Sequence, residues 1–345
     1  MKFATLNIQG IKRLGKREKV KYWMKKNNVN ILLLQETHVN MNVREQRKHF
    51  TWFFAGSVDK KDSTGKRVLN TEAGVAIILN NELLNFIWDI QPISDRLITL
   101  TLGYSIPISF ISAYMPYAYK DSEDKEFQYN EFNEHQIQLQ KKGPTYTGGD
   151  FNARIQRKQG TSEQCVGQHS FDPHNNTLAQ QDENIVENRN LFIAHCLQTD
   201  NVIANTLFQK PEHKKATSRH CETKHGPPYS MANGYAAIDF IAALNRLNNS
   251  VLDAESDTSF MDSDHYPVTA SIRIELKAKP FKARKGRQKY EPPTPEQTFH
   301  YNDQLDEINK WVDAKELANV HFPEKEKKGT EERKDLEEKK EKSCN

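Results

Sequence analysis

Residues 148–152, with the sequence GGDFN, combine the residue types of a catalytic turn. Two glycines allow the backbone to turn sharply and to approach a ligand closely. Asp150 and Asn152 are two positions apart, so in an extended backbone both side chains leave the same face, toward one reacting centre. Asp and Asn also close many ordinary turns, so this stretch alone is better evidence for a turn than for catalysis. The hypothesis of a catalytic site therefore depends on polar residues elsewhere in the chain.

Further polar side chains stand at or near the ends of apolar segments that have the pattern of strands. These residues are Asn7, Glu36, Tyr114, Asp239, Asp264 and His265. Each acid, taken singly, is more commonly a cap, a turn residue or a surface charge. Buried acids are rare unless they are paired or bind a metal, and strand ends on one rim of a sheet converge. We therefore expect this set to meet Asp150 and Asn152 in one site.

The chemistry that such a set supports is metal-assisted cleavage of a phosphodiester. A hard cation takes oxygen ligands from a few carboxylates, from substrate and from water. Glu36 supplies one carboxylate, and Asn7 and Asp264 are its predicted neighbours in a metal site. Mg²⁺ is the predicted cofactor, with Mn²⁺ as the alternative. The cation would offset negative charge on the phosphoryl oxygens and on the leaving oxygen.

The remaining polar residues are candidates for proton transfer and for contact with the phosphate. Asp150 is the candidate that orients water or donates a proton, and Asn152 is the candidate for a hydrogen bond to the phosphate. His265 could contact the phosphoryl group if a carboxylate fixed its tautomer and favoured its cationic form. Asp239 is the predicted partner for that role, and Tyr114 offers a hydroxyl to the phosphate or the leaving group.

The elements that must position these residues follow from the spacing of apolar side chains. The predicted strands are residues 2–8, 30–36, 52–56, 73–79, 97–102, 106–114, 202–208, 235–241 and 268–276. The predicted helices are residues 16–28, 123–140 and 178–197. Strands outnumber helices, and the helices come singly between groups of strands. Two sheets packed face to face with helices outside is the economical arrangement, so the predicted fold class is α+β.

The composition divides the chain near residue 276. Residues 1–276 are predicted to form the folded domain, and residues 277–345 a charged linker and tail that is largely disordered. Residues 277–289 contain basic side chains and no acid, which is typical of a linker and also of a phosphate contact. A weak helix is predicted over residues 305–317. The net charge of the whole chain is only +3, so total charge does not mark a nucleic-acid binder.

Several classes of protein are excluded by what the sequence lacks. The four cysteines show no Cys-x-x-Cys spacing, so neither a zinc ribbon nor a disulfide framework is predicted. His220, Cys221 and His225 are spaced like no common zinc site. No apolar run reaches the length of a membrane span, and the first residues do not resemble a signal peptide. We predict a nuclear or cytoplasmic, intracellular protein with no membrane partner.

Six motifs, in chain order, resemble those of the endonuclease/exonuclease/phosphatase superfamily. They are Asn7, residues 35–38 (QETH), 114–116 (YMP), 149–152 (GDFN), 238–241 (IDFI) and 263–265 (SDH). Within the superfamily the set is most similar to the apurinic-type endonuclease domain of LINE-like, non-LTR retrotransposons, over residues 1–276. The resemblance implies a four-layer αββα sandwich that depends on Mg²⁺. It also implies a DNA endonuclease that nicks one strand of double-stranded DNA and leaves a 3′ hydroxyl that primes reverse transcription.

A retrotransposon protein of this kind would continue into a reverse transcriptase module, for which this chain has no room. It therefore resembles a fragment, a truncated copy or a stand-alone descendant of such a longer protein. Gln9 stands where the repair apurinic endonucleases carry an acid, which argues against the repair branch. Ser218 replaces an aromatic residue usual in LINE-type domains, and residues 221–234 replace their specificity hairpin with a differently shaped loop.

Contact with DNA is expected to come from local basic groups, because the net charge is small. Arg154, Lys215 and Arg219 are the predicted basic contacts near the rim, although each could equally be an ordinary solvated side chain. Thr217 is added because it matches a threonine that LINE-type domains place before the Ile-Asp strand. Phosphate contacts of this kind give affinity that falls with salt and carry no sequence information.

Two other functions stay open on the sequence alone. The same active site could serve a phosphoinositide, a sphingomyelin or the 3′ end of an RNA. The chain could also be a catalytically silent remnant that keeps the fold as an interaction module. The intact acids of the motifs, Glu36, Asp150, Asp239 and Asp264, argue against silence.

Overall fold

The computed structural model describes residues 1–56, 60–61, 67–68, 73–172 and 181–273. The strands, in chain order, are β1 Lys2–Asn7, β2 Ile31–Gln35, β3 Val43–Gln46, β4 Phe50–Ala55, β5 Lys60–Lys61, β6 Arg67–Val68, β7 Val75–Asn80, β8 Ile87–Pro92, β9 Leu97–Leu102, β10 Ile108–Tyr114, β11 Thr145–Asp150, β12 Asn201–Ile203, β13 Ser218–Arg219, β14 Tyr235–Ala236, β15 Asp239–Leu244, β16 Val251–Ser256 and β17 Val268–Ile272. The α-helices are α1 Lys16–Lys26, α2 Ser122–Gln140 and α3 Glu183–Gln198.

Among the residues described, two mixed sheets account for all but four of these strands. Sheet one has the order β16-β17-β1-β2-β7-β4-β3, and sheet two the order β12-β15-β11-β10-β9-β8. The short strands β5 with β6, and β13 with β14, form two-stranded ribbons. Each large sheet contains a parallel pair, β1 with β2 in sheet one and β10 with β11 in sheet two. The other pairs in both sheets are antiparallel.

The parallel pairs explain why distant parts of the sequence meet at one edge. Parallel neighbours that are in register end side by side, as Asn7 does beside Gln35 and Tyr114 beside Asp150. Strand β15 is antiparallel to β11, so it begins where β11 ends, and Asp239 lies directly across from Asp150. Because β1 packs against β11, the edges of the two sheets form one rim.

The interior between the sheets is filled by apolar side chains. Phe3 of sheet one contacts Phe110 and Tyr146 of sheet two, and the ring centroids of Phe3 and Phe110 lie 5.3 Å apart. Burial of one such aromatic side chain stabilises the fold by about 1.5–3 kcal/mol. A Cβ atom at Gly148 would lie 2.9 Å from side-chain atoms of both Leu33 and Thr5. The first glycine of the 148–152 turn is therefore required by the close approach of the two sheets.

Helices cover the outer faces of both sheets. On the side of sheet one, α1 buries Val20, Trp23 and Met24, and Trp23 Nε1 donates a hydrogen bond of 2.7 Å to Asp257. On the side of sheet two, α2 packs against β10 and β11, and α3 packs against β12. The predicted α+β fold, a four-layer αββα sandwich, is confirmed. No helix among the described ranges is long and apolar enough to cross a membrane.

Two predicted elements near the rim are wrong in their extent. Residues 202–208 were expected to form one strand, but β12 ends at Ile203 and a 3-10 helix, Ala204–Thr206, follows. In that helix Asn205 bonds the backbone of β15 through its side chain, accepting from Ile241 N and donating to Asp239 O. The side chain of Asn205 thus replaces the backbone hydrogen bonds that a longer β12 would make with β15.

The predicted strand over 235–241 is two strands. Tyr235–Ala236 pairs with Ser218–Arg219, and Asp239–Leu244 joins sheet two. The bend between them turns Asp239 into the first residue of β15. The third helix also begins later than predicted, because Asp182 caps it by accepting a hydrogen bond from Asn184 N.

The predicted strands leave out four strands of the two large sheets, β3, β8, β11 and β16. Strand β11 lies inside sheet two, and its threonines and glycines gave it no apolar pattern. The other three lie at the edges of their sheets. Edge strands bury one side at most and carry charged side chains that discourage pairing with other chains, so their apolar pattern is weak. The predicted linker and tail over 277–345, with its helix over 305–317, lie outside the described residues, as do residues 178–180 and 274–276 of two predicted elements. The domain boundary near 276 stays a prediction.

Candidate active site

Asn7 connects the two sheets at the rim. It is the last residue of β1, and its Nδ2 donates hydrogen bonds to Glu36 Oε1 at 2.8 Å and to Asp150 Oδ2 at 2.9 Å. Its Oδ1 accepts a hydrogen bond of 3.1 Å from the backbone amide of Gln9. The predicted metal-site residue Asn7 therefore bridges the carboxylates of Glu36 and Asp150, which lie 114 positions apart in the sequence.

Glu36 follows β2 immediately and has several donors around it. The hydroxyl of Tyr114, the last residue of β10, donates to Glu36 Oε1 at 2.8 Å, and His38 Nε2 lies 3.9 Å from Glu36 Oε2. Burial raises the pKa of Glu36, but His38, Asn7 and Tyr114 outweigh it and hold that pKa below its ordinary value. Burial, followed by the charges of Glu36 and Asp150, raises the pKa of Tyr114. At neutral pH the pair is a carboxylate and a neutral phenol.

The backbone at the rim is strained. Four residues other than glycine adopt a left-handed conformation there: Gln9 (φ 48°), Glu36 (φ 49°), His38 (φ 56°) and Asn152 (φ 49°). Each such residue costs on the order of 1 kcal/mol, and such strain persists where surrounding contacts hold the residue in place. The hydrogen bonds to Glu36 are contacts of that kind. Stored strain of this sort clusters at functional sites, which supports a site at this edge.

His265 and Asp239 form a buried pair beside Asp150. His265 Nδ1 lies 2.9 Å from Asp239 Oδ2 and 4.0 Å from Asp150 Oδ2. Burial lowers the pKa of His265, but the carboxylates, Asp239 above all, raise it to about 10. Burial and the neighbouring charge of Asp239 raise the pKa of Asp150 to about 7, although His265 and Asn7 oppose the shift. The imidazole is therefore cationic at neutral pH, and Asp150 titrates near neutrality.

Asp239 is held in place by Thr217. The side chain of Thr217 is wholly buried, and its Oγ1 accepts hydrogen bonds from Ile238 N at 2.9 Å and Asp239 N at 3.0 Å. Thr217 was predicted as a DNA contact, and the structure places it in the interior instead of on the exposed rim. Its contacts fix the start of β15.

Strand alternation was predicted to direct the side chain of Asn152 to the site, but the backbone after Asp150 is not extended. The extended backbone ends at Asp150, and Asn152 has a left-handed conformation, so simple alternation does not direct the two side chains. Asn152 N donates to Asp150 Oδ1 at 2.9 Å, and Asn152 Nδ2 donates to Met115 O at 3.0 Å. The turn after β11 is thus tied both to Asp150 and to the segment after β10.

Asp264 belongs to a neighbouring network. Its Oδ1 lies 3.0 Å from Arg219 Nη2, and its backbone amide donates to Gln9 Oε1 at 3.0 Å. The side chain of Asp264 is 33% exposed. The structure thus joins Asp264 to Arg219, a predicted DNA contact, at the side of the rim. It brings together Asn7, Glu36, Tyr114, Asp150, Asp239 and His265, which we call the rim cluster.

The predicted basic contacts are partly engaged within the fold. Lys215 Nζ donates to Ser170 O at 2.9 Å and pairs with Glu212, which leaves its side chain 10% exposed. Arg219, besides Asp264, donates to Thr223 O at 3.0 Å and is 17% exposed. Arg154 is half-buried, and burial lowers the pKa of its guanidinium.

The donor set of the rim fits a hard divalent cation. Oxygen atoms predominate, and single carboxylate oxygens of Asp150 and Asp239 lie within 4.8 Å of each other. Asp150 and Asp239 are buried, whereas the side chain of Glu36 is 22% exposed. Glu36 is therefore the carboxylate of the rim cluster that an ion can reach from solvent while keeping water among its ligands, as Mg²⁺ prefers.

Sequence reasoning missed the polar support beneath the rim cluster. Gln35 Nε2 donates to Ser112 Oγ at 2.9 Å, and Thr5 Oγ1 donates to Gln35 Oε1 at 3.2 Å, so one buried chain of hydrogen bonds joins the two sheets. The signal was a glutamine inside an otherwise apolar strand, directly before Glu36. Asn188 of α3, described below, gave no signal, because it lies in a polar stretch of the sequence.

Comparison with known proteins finds similarity in sequence profile and in fold. The sequence profile described as the Endonuclease/Exonuclease/phosphatase family matches residues 4–220. A search of curated proteins finds no match. Many solved structures are similar in fold.

Three of these structures illustrate the likeness. The AP endonuclease LMAP from Leishmania major has 16% identity and a TM-score of 0.55, and the match covers 79% of this chain and 87% of that one. The APE2 catalytic domain from Xenopus laevis has 18% identity and a TM-score of 0.56, covering 81% and 94%. The 3′ phosphatase NExo from Neisseria, bound to a product DNA hairpin, has 16% identity and a TM-score of 0.51, covering 79% and 100%. At these identities the likeness shows the fold.

Proposed function

Because the chain belongs to the Endonuclease/Exonuclease/phosphatase family, we propose that its rim cluster hydrolyses a phosphodiester bond of DNA. The proposed reaction depends on a divalent metal, nicks one strand and leaves a 3′ hydroxyl. The observation that supports it best is the pair of hydrogen bonds from Asn7 to Glu36 and Asp150, with the His265–Asp239 pair alongside. These contacts bring carboxylates, an amide and an imidazole from both sheets together at one edge.

The proposed metal is Mg²⁺, with Mn²⁺ as the alternative, held by Glu36 with Asn7 and Asp264 as the neighbouring donors. When bound, such an ion offsets the charge on the phosphoryl and leaving oxygens. Asp264 would have to exchange part of its contact with Arg219, 3.0 Å away, to serve as a ligand. Glu36 needs no such exchange, because its Oε2 lies 3.9 Å from His38 Nε2. Its lowered pKa keeps the carboxylate ionised.

The remaining groups of the rim cluster each have a proposed role. Asp150 orients the attacking water or donates a proton, and a pKa near the working pH favours both tasks. His265, kept cationic by Asp239, contacts the phosphoryl group. Tyr114 stays protonated, and its hydroxyl would exchange its hydrogen bond to Glu36 for one to the phosphate or the leaving group. Asn152 hydrogen-bonds the phosphate.

Double-stranded DNA is the proposed partner. Of the three similar structures described above, one is an AP endonuclease by name and another holds a product DNA hairpin. Arg154, Lys215 and Arg219 are the proposed DNA contacts, and Thr217, which is wholly buried, is proposed to support DNA binding without touching DNA. Lys215 and Arg219 would exchange the carboxylates of Glu212 and Asp264 for phosphates, and Thr217 would act from the interior through the start of β15.

The order of the six motifs also supports a narrower proposal. The chain is proposed to derive from a LINE-like retrotransposon, in which the nick primes a reverse transcriptase module of a longer parent protein. An intracellular site of action, nuclear or cytoplasmic, would accord with a DNA target.

The test compares cleavage of three substrates by purified wild-type protein. Supercoiled plasmid, a phosphoinositide or sphingomyelin, and oligo(A) are each incubated with Mg²⁺ or with EDTA, beside Asp150→Ala and His265→Ala. Nicking of plasmid that needs the metal and both residues supports the proposal. Hydrolysis of the lipid or of oligo(A) without nicking would move the function to those substrates. Inertness toward all three would mark the chain as a silent module and refute the proposal. His195→Gln, at a buried histidine remote from the rim cluster, is the matched control.

A further inference from the structure

One asparagine on the outer helix layer contacts both loops that shape the candidate active site. Asn188 of α3 is 1% exposed, and its Nδ2 donates hydrogen bonds to Pro116 O at 2.9 Å and to Asn152 O at 3.0 Å. Pro116 lies two residues after Tyr114, and Asn152 two residues after Asp150. A single amide group therefore joins the segment after β10 to the segment after β11.

The same two segments are joined by a second contact. Asn152 Nδ2 donates to Met115 O at 3.0 Å, and Met115 N donates to Asp150 O at 2.9 Å. These bonds lie within the loops themselves and move with them. Asn188 differs because it belongs to helix α3. Its hydrogen bonds therefore hold both loops in place relative to that helix.

Helix α3 is anchored on either side of Asn188. The preceding residue, Glu187, forms an ion pair with Lys125 of α2. The following residue, Arg189, makes a bidentate ion pair with Glu163, with distances of 2.7 Å and 2.8 Å. Bidentate pairs of arginine with carboxylate are among the more rigid contacts in proteins. Residues 187–189 thus connect this turn of α3 to α2, to the segments after β10 and β11, and to the loop that contains Glu163.

Packing alone does not account for an asparagine at this position. Asn188 Oδ1 is buried without a hydrogen-bond partner among the described residues. A buried polar atom left unpaired costs about 1–3 kcal/mol, which an apolar side chain of similar size would avoid. The advantage that remains is the pair of hydrogen bonds from Nδ2, and both end on loops that carry rim residues.

We propose that Asn188 is a positioning residue for catalysis. It sets the separation between Tyr114 and Asn152, and so the place of the phosphate that both would contact. This inference rests on the function proposed above. A small displacement of a substrate-positioning group can cost up to about a hundredfold in rate, and loss of a supporting contact around a catalytic group commonly costs about 10- to 100-fold.

The matched control is Asn133 of α2. It is also a buried asparagine of the same layer, and its Nδ2 donates to Gln198 Oε1 at 2.9 Å, between α2 and α3 and away from the rim loops. Asn188→Ala, Asn188→Asp and Asn133→Ala are compared with wild type for kcat and KM of plasmid nicking and for melting temperature. Asn188→Asp keeps the size of the side chain but removes both donors.

Both Asn188 variants are expected to lower kcat about 10- to 100-fold while KM changes by less than about threefold. Asn133→Ala is expected to lower the melting temperature as much as Asn188→Ala does, with kcat within about twofold of wild type. Equal loss of kcat in Asn133→Ala, or unchanged kcat in both Asn188 variants, would overturn the inference while wild-type nicking left the proposed function intact.

A second readout does not depend on activity. Hydrogen exchange of the Asn152 backbone amide is expected to quicken at least about tenfold in Asn188→Ala and to stay unchanged in Asn133→Ala, because a loop freed from its helix opens locally. If the wild-type protein cleaves no DNA, the function falls but this result still decides whether Asn188 holds the loop. Unchanged exchange at Asn152 would contradict the positioning role outright.

Discussion

The rim cluster and the outer layer of helices each bury a histidine, and the two imidazoles behave in opposite ways. His195 of α3 is stacked on Phe132, with ring centroids 3.9 Å apart, and burial lowers its pKa to about 3. His265 lies 2.9 Å from Asp239, and the nearby carboxylates raise its pKa to about 10 in spite of burial. Burial alone keeps an imidazole neutral, and a buried carboxylate partner reverses the outcome.

The difference extends to the two regions as a whole. In the helix layer the aromatic rings of Phe132 and Phe192 pack on Phe151, which follows β11. A polar group such as His195 is surrounded there by apolar side chains. In the rim cluster carboxylates meet across two sheets, and the backbone is strained around them. The charged groups lie at the rim, where they can act on a substrate. The apolar helix layer packs against the strands that carry them.

The largest expected effect of any substitution is that of Asp150→Ala. Asp150 is the candidate for orienting water or donating the proton, and groups in that role contribute at least about a hundredfold to the rate. The rate of plasmid nicking under saturating Mg²⁺ measures it. A rate within a few-fold of wild type would remove Asp150 from the mechanism and weaken the distinction between the two regions.

The two histidines can be compared by the same substitution. His265→Gln is expected to lower nicking at least about a hundredfold, because the cation facing the phosphate is lost, whereas His195→Gln should leave the rate within about twofold. Initial rates on one plasmid preparation test both. Equal losses in the two variants would mean that glutamine harms the fold instead of the chemistry.

A smaller effect is expected when the partner of His265 is neutralised. Asp239→Asn keeps the shape of the side chain but removes the charge, so the pKa of His265 should fall by about 1–3 units. Titration of the imidazole by NMR measures the shift. The rate should fall more at pH 9 than at pH 6, because the imidazole then loses its proton within that range. A pKa that did not move would show that Asp239 is not what keeps His265 charged.

The smallest effect concerns stability in the helix layer. Folded His195 takes up its proton only near pH 3, whereas the unfolded chain takes it up near the ordinary value of 6.5. The unfolded state therefore gains protons first as the pH falls below 6.5, and the free energy of unfolding drops by about 1.4 kcal/mol per pH unit from this group. Urea unfolding at pH 7 and pH 5 should show a drop about 2 kcal/mol larger in wild type than in His195→Gln.

His265 supplies the opposite control for that measurement. Its raised pKa gives a contribution to stability that is complete below pH 6.5 and is lost as the pH rises toward about 10. His265→Gln should therefore flatten the alkaline side of the stability curve above pH 7, where wild-type protein loses this contribution. A steeper acidic slope in His195→Gln than in wild type would contradict the account of the neutral histidine.

The sequence was sufficient for the main features of the rim cluster, for a physical reason. Asn7 and Tyr114 end strands whose apolar pattern is strong, and Glu36 directly follows another such strand. Parallel strands in register deliver their ends to one edge, which places Asp150 of β11 beside Tyr114. Details that depend on side-chain partners could not be predicted from the sequence. The pairing of Asp264 with Arg219 follows from the bridge between Ser218 and His265, a long-range contact that no local pattern encodes.

The same limit applies elsewhere in the fold. The left-handed backbone of Asn152 and its contact with Asn188 depend on a helix 36 residues away. The edge strands β3, β8 and β16 carry too little apolar periodicity to be recognised. Sequence reasoning therefore predicted where the chemistry gathers and missed how its supporting contacts are arranged.

The most direct test of the central claim is the Mg²⁺ dependence of plasmid nicking in wild type and in Glu36→Gln. The account predicts that wild-type protein makes nicks only with the metal present, and that their 3′ ends are extended by a DNA polymerase without prior treatment. Glu36→Gln should nick at least about tenfold more slowly at every Mg²⁺ concentration, because the accessible carboxylate of the site is lost. Nicking by wild type in EDTA, or a rate of Glu36→Gln equal to that of wild type at the same Mg²⁺ concentration, would contradict it.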